Sequence, residues 1–484
     1  MQVLYLIFAI AGLLWAGVIM LRGGLIAGCL VVLLAGTCFG HAFYHLPAKP
    51  IPVTLDRALL VALAAQFAVF WKMGLADPKA WGKSEFLLVA LLAVLGLSAI
   101  SHDWTINNNQ PASRLVFFYG MPFVMYWIAR QSAISSRQII WICGGCAIFG
   151  LYLAFTAAAE VHQLWTFVLP TYISSEKFTE YLGRGRGPFL NPTGCGLIIT
   201  LCMCCALTFW RHVDRLGKLI LVGVMLVSLC GIYYSLTRSV WAGAAMALLI
   251  MIAAELTPRA RVGLVVASLL AGGVFLAFRW ESLTRFKRDR DVTAADMSES
   301  AELRPLLAAV SWQMFLDRPL AGCGFGQYAQ RNKNYVSDRS QGLNLEKTRP
   351  YVQHNVFLAL LTETGLLGAG VFVALLATWA VDAWRLWRSP SSPLQVRQFA
   401  LVFLAFLAAY LINGMFHDVA IVPHLHMYFF FFAALVSGLA ASARRDILWQ
   451  RKAEEHNEDK PGSNLGEAST AALLSANSLA PTMN

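Results

Sequence analysis

Charge is scarce in this chain. Asp, Glu, Lys and Arg make up 13% of its 484 residues, about half the share found in soluble domains, which excludes an ordinary soluble enzyme. Other absences narrow the field further. The apolar run 3–21 has no basic segment before it and no cleavage site after it, so it reads as a retained helix rather than a signal peptide. The longest polar connection, 281–354, holds a lone cysteine, Cys323, which excludes a disulfide framework there. Its Gly322-x-Gly324-x-Gly326 follows no strand and lacks Gly-Lys-Ser/Thr. It is therefore not a nucleotide loop but a tight turn that brings backbone close to something. That connection also lacks Asp-x-Asp, although Asp289-Arg290-Asp291 offers two carboxylates. His417, Asp418, His424 and His426 are the other ligand-rich group, and two of these histidines fall at a helix end. No metal site and no cofactor are expected.

What is present is apolar. Hydrophobic residues supply 58% of the chain, the mean hydropathy is +0.59, and the runs are roughly 17–25 residues long, enough to cross a bilayer's hydrocarbon core. The fold class is an all-α polytopic membrane protein of 12–13 spans. Helices are expected at 3–21, 24–44, 56–73, 85–101, 115–130, 138–159, 190–210, 217–235, 239–255, 262–280, 365–387, 398–416 and 422–443. The chain then has four regions: 1–280, N-terminal spans; 281–354, one large loop; 355–445, C-terminal spans; 446–484, a polar tail expected to be disordered. Nine of the ten cysteines lie in apolar segments. Cys143-Gly-Gly-Cys146 has redox spacing but no polar neighbours, so it reads as small packing residues.

The net charge of +11 is scattered between apolar runs, so it reports topology rather than nucleic acid. One alternating set of connections holds Arg22, Lys72, Lys79, Lys83, Arg130, Arg137, Arg211, Arg215, Lys218, Arg259, Arg261, Arg385, Arg388 and Arg397, which assigns it to the cytoplasm. The opposite set, 161–189, 236–238, 281–354 and 417–421, faces outward, into the periplasm of a Gram-negative cell. Within the long loop, Leu303, Leu306, Leu307, Val310, Met314 and Phe315 recur at helical spacing. They predict an amphipathic helix over 300–316 with Pro305 in its first turn, lying on the membrane or against the bundle.

Four features gather on the outward side: Arg184 and Arg186 in GRGRGPFLNP, Arg238 in YSLTRSVW, Arg304 eight residues before Trp312, and His354-Asn355 in QHNVFLALLTETGLLG. Each has a plain alternative. Arginines at helix mouths snorkel to lipid headgroups, Asn355 suits an N-cap, and a lone interfacial histidine can be structural. Several outward arginines nevertheless run against positive-inside statistics. A lipid diphosphate accounts for them, since the guanidinium fork matches phosphate oxygens. Asn355, Thr362 and Glu363 fall near one helix face, which either lines a cleft or pairs with neighbouring loops.

These residues resemble the O-antigen ligase and polymerase superfamily of bacterial membrane glycosyltransferases. The pattern His-[Asn/Ser/Gln]-x9-Gly-x2-[Gly/Thr/Tyr] is met by His354, Asn355, Gly365 and Gly368. Supporting matches are Arg186-Gly-Pro-Phe-x-Asn191-Pro, Thr237-Arg-Ser, Arg304 with Trp312, and Pro-Leu-x-Gly-x-Gly-x-Gly at 319–326. The resemblance covers about 85–440 and implies a GT-C-like fold. It implies an inner-membrane enzyme whose site faces the periplasm. That enzyme would move a glycan from an undecaprenyl-diphosphate donor to a hydroxyl of lipid A–core, with membrane lipids and no nucleic acid as its other partners. On this reading His354 is the base, Arg238 and Arg304 clamp the diphosphate, and Arg184 and Arg186 are further clamps or guides. Asn355 orients the histidine or an acceptor hydroxyl, while Asn191, Gly365 and Gly368 support. A repeat-unit polymerase or a protein O-oligosaccharyltransferase would share these parts. A transporter or flippase would place ionisable residues at mid-membrane and show internal repeats; the spans carry almost no charge and no repeat.

Overall fold

The computed structural model describes residues 2–43, 45–46, 53–175, 177–268, 270, 273, 294–337, 342–349, 351–422 and 424–458. The chain divides into two compact units, 1–440 and 441–484, and the helix bundle is the first of them. Among the described residues the protein is all-α apart from one two-residue antiparallel pair, His45 with Thr54 and Leu46 with Val53. Nine helices among the described residues are long and apolar enough to cross a membrane, and Arg22–Cys38 is a shorter apolar one. The fold is that of a multi-pass membrane protein.

The helices are α1 (Gln2–Cys38), α2 (Leu55–Lys72), α3 (Lys83–Ile100), α4 (Ile106–Arg114), α5 (Met121–Arg130), α6 (Ser136–Val161), α7 (Pro192–Leu207), α8 (Arg215–Tyr234) and α9 (Arg238–Glu255). They continue as α10 (Ala294–Asp317), α11 (Val356–Arg388), α12 (Leu394–Gly414) and α13 (Leu425–Glu458). A π-helical segment, Leu115–Gly120, joins α4 to α5. The helices expected at 3–21 and 24–44 are two helices that meet at a non-helical Gly24, whose φ is 73°, and the second ends at Cys38. Of the span expected at 262–280, residues 262–268, 270 and 273 are helical; its remainder, the carboxylates of Asp289 and Asp291, and most of the polar tail lie outside the described residues.

Burial is deepest in α7, α12 and the apolar part of α13, where Phe399, Phe403, Phe406, Phe429 and Phe432 are fully enclosed. Small residues let the neighbouring α6 come close to α7. A Cβ on Gly150 would stand 2.4 Å from Cβ of Cys202, and the thiols of Cys143 and Cys146 meet those of Cys202 and Cys205 in the same interface. Two basic residues that read as topology signals are buried and paired. Arg130 meets Glu85 at 2.5 Å, and Lys79 meets Asp77 at 3.0 Å.

Two expectations change. The helix placed at 365–387 follows a break at Gly365 and is preceded by a further helical stretch that starts at Val356, where Asn355 caps it: its Oδ1 accepts from the backbone N–H of Phe357 at 2.9 Å and Leu358 at 3.0 Å. The helix expected over 300–316 spans Ala294–Asp317, so Pro305 sits in its interior rather than in its first turn. That helix lies against the bundle. Leu303, Leu307, Val310 and Met314 are buried, and the Ser311 carbonyl accepts a hydrogen bond from Thr362 Oγ1 of α11.

Candidate active site at one end of the bundle

Three expected residues come together. Arg238 opens α9, Arg304 lies on α10, and His354 stands two residues before α11. The positive charge of Arg238 acts on Arg304, and that of Arg304 acts on His354. Burial and Arg238 both bring the Arg304 guanidinium below its ordinary value. Burial and then Arg304 hold the His354 imidazole below 6.5, so it is neutral at pH 7. The Arg304 guanidinium carbon lies 5.5 Å from the centre of the Phe416 ring, a cation–π contact that fixes it without cancelling its charge. Arg238 stands at the positive end of a helix dipole, where a cation is disfavoured. Like charges placed together at such a point raise the local positive potential.

His354 adopts φ = 48°, a left-handed conformation uncommon outside glycine. It lets the chain reverse before the Asn355 cap. Asn355 also donates Nδ2–H to the Met415 carbonyl at 3.0 Å, tying the histidine's neighbour to the end of α12. All of its described hydrogen bonds go to backbone, so its placement is that of a cap and a tether. Asn191 caps α7 in the same way, accepting from Thr193 and Gly194.

The structure gives Arg184 and Arg186 a different placement from the expected clamps. Arg186 is 0% exposed. Its Nε donates to Glu160 Oε2 at 3.2 Å, Nη1 to the carbonyls of Phe178 and Glu180, and Nη2 to that of Ile173. With its donors so engaged, it holds its own loop together. Arg184 donates Nη2–H to Thr237 Oγ1 at 2.5 Å and Nε–H to the Ser235 carbonyl at 3.3 Å. It therefore supports the turn from which Arg238 projects.

Gly365 breaks α11, with φ = 63°. The break frees backbone groups that the glycine-rich turn then satisfies. Cys323 and Gly324 donate to the carbonyls of Thr362 and Glu363 at 2.9 Å each, while Leu366 and Leu367 donate to those of Pro319 and Leu320 at 2.8 and 3.2 Å. A Cβ on Gly365 would stand 2.3 Å from the Leu320 oxygen, and one on Gly322 would stand 2.4 Å from the Glu363 carbonyl carbon. Irregular backbone is tolerated at membrane depth only when satisfied in this manner. What the turn approaches is thus the interior of a helix.

Sequence reasoning missed Glu160 and Arg114. Arg114 Nη1 bonds both carboxylate oxygens of Glu363, at 3.0 and 3.1 Å, and Gly326 N–H donates to Glu363 Oε2 at 3.1 Å. Asp418 approaches Arg114 at 3.7 Å; burial pushes its carboxyl up to about 6, with Arg114 opposing. The available signal was an acid within an apolar run, which demands a partner. Thr362 and Glu363 therefore pair with neighbouring elements. His426 bonds the Tyr410 hydroxyl and the Phe118 carbonyl, both at 2.8 Å. Among the described residues no three His, Cys, Asp or Glu side chains are grouped to hold a metal ion.

An all-α multi-pass membrane protein with a basic cluster around Arg238, Arg304 and His354 is the class that fold and site define. Residues 223–373 match the family model described as O-antigen ligase. Over that stretch the protein is similar to that family, and the match indicates a glycosyltransferase-like enzyme of the O-antigen ligase and polymerase kind. The match contains Arg238, Arg304, His354, Asn355, Gly365 and Gly368, and leaves Arg184, Arg186 and Asn191 outside. No curated protein matches the chain.

Proposed function

We propose that the protein transfers O-antigen polysaccharide from undecaprenyl diphosphate to a sugar hydroxyl of lipid A–core, at the periplasmic face of the inner membrane. The supporting observation is the placement of His354 beside Arg304, which in turn lies beside Arg238. A neutral imidazole accepts the proton of the acceptor hydroxyl as that oxygen attacks the anomeric carbon. The bond from that carbon to the diphosphate oxygen breaks, and the lipid diphosphate leaves with the electron pair. Charge grows on the leaving group in the transition state, where fixed guanidinium groups stabilise it more than the ground state. Direct attack inverts the anomeric centre. The arginines supply the neutralising charge, so the step proceeds without a metal. Arg184 positions Arg238, and Arg186 with Glu160 stiffens the loop beneath.

The acceptor separates this reading from its nearest relatives. Purified protein with lipid-linked glycan is offered lipid A–core, a second lipid-linked glycan or an acceptor protein in turn. Glycan joined to lipid A–core is expected. Elongated lipid-linked glycan would make the protein a polymerase, and glycosylated protein a protein O-oligosaccharyltransferase.

A further inference from the structure

Cys143-x-x-Cys146 on α6 has a counterpart on the next span, Cys202-x-x-Cys205 on α7. The two helices run in opposite directions, since Glu160 near the end of α6 accepts from Gly187 N–H just before the start of α7. Each step forward along one helix is therefore a step back along the other. The equal spacings set Cys146 opposite Cys202 and Cys143 opposite Cys205, about one turn apart. The side chains follow that register: Cys146 is in hydrogen-bond contact with Cys202 and Cys205, and Cys205 with Cys143. The backbones come close here, because a Cβ on Gly150, one turn beyond Cys146, would stand 2.4 Å from Cβ of Cys202. All four thiols are buried and free. Among the described residues they are not grouped to hold a metal ion, so the chemistry open to them is between neighbouring sulfurs.

A small opening of about 10 Å³ reaches Cys143, lined also by Ile139, Thr208, Phe209, His212 and Gln398. It lies at the C-terminal end of α7. The other end of α7 follows the segment that Arg184 ties to the turn before Arg238, so the opening is at the end of the bundle remote from the candidate site. Its volume is about that of one water, and only a very small molecule passes it.

We propose that the four cysteines form a site of reversible oxidation, in which hydrogen peroxide joins Cys143 to Cys205 across α6 and α7. The Cys143 sulfur attacks one peroxide oxygen and the O–O bond breaks. The sulfur becomes a sulfenic acid, and the other oxygen leaves as water with the thiol proton. The Cys205 sulfur then attacks the oxidised sulfur; the S–S bond forms, the S–O bond breaks, and the second oxygen leaves as water with the Cys205 proton. Two thiols lose two electrons and the peroxide becomes two waters. Contact of Cys146 with both α7 thiols lets the bridge move inward. Cys146 attacks the Cys205 sulfur and releases Cys143, then Cys202 attacks the Cys146 sulfur and releases Cys205, each displaced sulfur taking the attacker's proton. Close packing asks only for small side chains, which alanine or glycine would supply; matched thiols add a bond that alanine cannot make. The bridge ties the helix of Glu160 to the helix capped by Asn191, the two elements that flank the Arg186 loop. The inference does not depend on the transfer reading.

The test uses the full chain in phospholipid nanodiscs, exposed to hydrogen peroxide, then quenched with acid, unfolded and alkylated. One α6 thiol and one α7 thiol are expected to escape alkylation, and dithiothreitol should restore both. Proteolysis should yield a peptide of α6 joined to a peptide of α7. That joined peptide should be lost in Cys143→Ala, and Cys205→Ala serves if the first variant does not fold. Exposed Cys230 reports the dose. If Cys230 is oxidised while Cys143, Cys146, Cys202 and Cys205 all remain open to alkylation, the four are packing residues and the proposal falls. A joined peptide that persists undiminished in both variants would also overturn it.

Discussion

Glu160 receives Arg186 inside the bundle at 3.2 Å, with neither side chain more than 2% exposed. An arginine expected to meet substrate instead meets an acid from the end of an apolar helix. Breaking a buried pair strands a charge and costs about 3–5 kcal/mol. Arg186→Ala should therefore lower the thermal midpoint of the purified protein sharply, and Glu160→Gln less, because its amide still accepts hydrogen bonds. A stable Arg186→Ala protein that has lost only donor affinity would return Arg186 to the site.

Arg184 acts one step from the chemistry. Arg184→Ala should leave the protein folded, because the guanidinium ties a single turn, yet lower kcat/KM by letting the turn at Ser235–Thr237 drift. Arg184→Lys should restore little, since one ammonium cannot span both acceptors. Equal activity in all three forms would separate this turn from Arg238.

For His354 the sign of the pH effect follows from its surroundings. Burial and Arg304 favour the neutral ring, so the base form persists as pH falls to 6.5 and is lost only below it. The acid limb of kcat/KM should lie under 6.5. The dianionic donor opposes the charge of Arg304, so the limb of kcat should lie higher. His354→Ala should abolish transfer and the limb with it, while the protein folds and inserts. A limb unchanged in a residual activity of that variant would assign it to another group.

Arg238→Lys tests the fork. A point charge keeps the electrostatics but not two parallel hydrogen bonds, and a loss of roughly 10²-fold in kcat is expected. Unchanged turnover would mean that Arg238 merely reaches for headgroups.

Gly365→Ala meets both an unfavourable φ and the Leu320 oxygen at 2.3 Å. It should destabilise the joint by several kcal/mol and expose the 318–326 turn to protease. Resistance equal to the parent's would argue that α11 straightens and the turn withdraws intact.

The sequence disclosed the class readily, because scarcity of charge and the length of apolar runs are properties of the whole chain. It also grouped Arg238, Arg304 and His354, because each was expected on the outward side, and the structure brings Arg238 to Arg304 and Arg304 to His354. Arg184 and Arg186 were drawn into that group by the same reasoning. Their partners, Thr237 and Glu160, are 53 and 26 residues away, beyond the reach of any local pattern. Glycine spacing announced a close approach at 319–326 but not its target, because Gly322 and Gly365 meet through tertiary contact alone. Asn355 was legible as a cap and proved to be one.

The join at Gly365 also makes the spacing from Asn355 a gauge. Ten residues of helix measure about 15 Å, so the chain length between them fixes how deep the glycine-rich turn is inserted below the histidine. Inserting one residue there would deepen the turn by about 1.5 Å and rotate it by about 100°. The turn and Glu363 would then rotate together away from the side that Asn355 faces, and α10, which bears Arg304, would swing with them. Register along this single helix keeps arginine and histidine at one address.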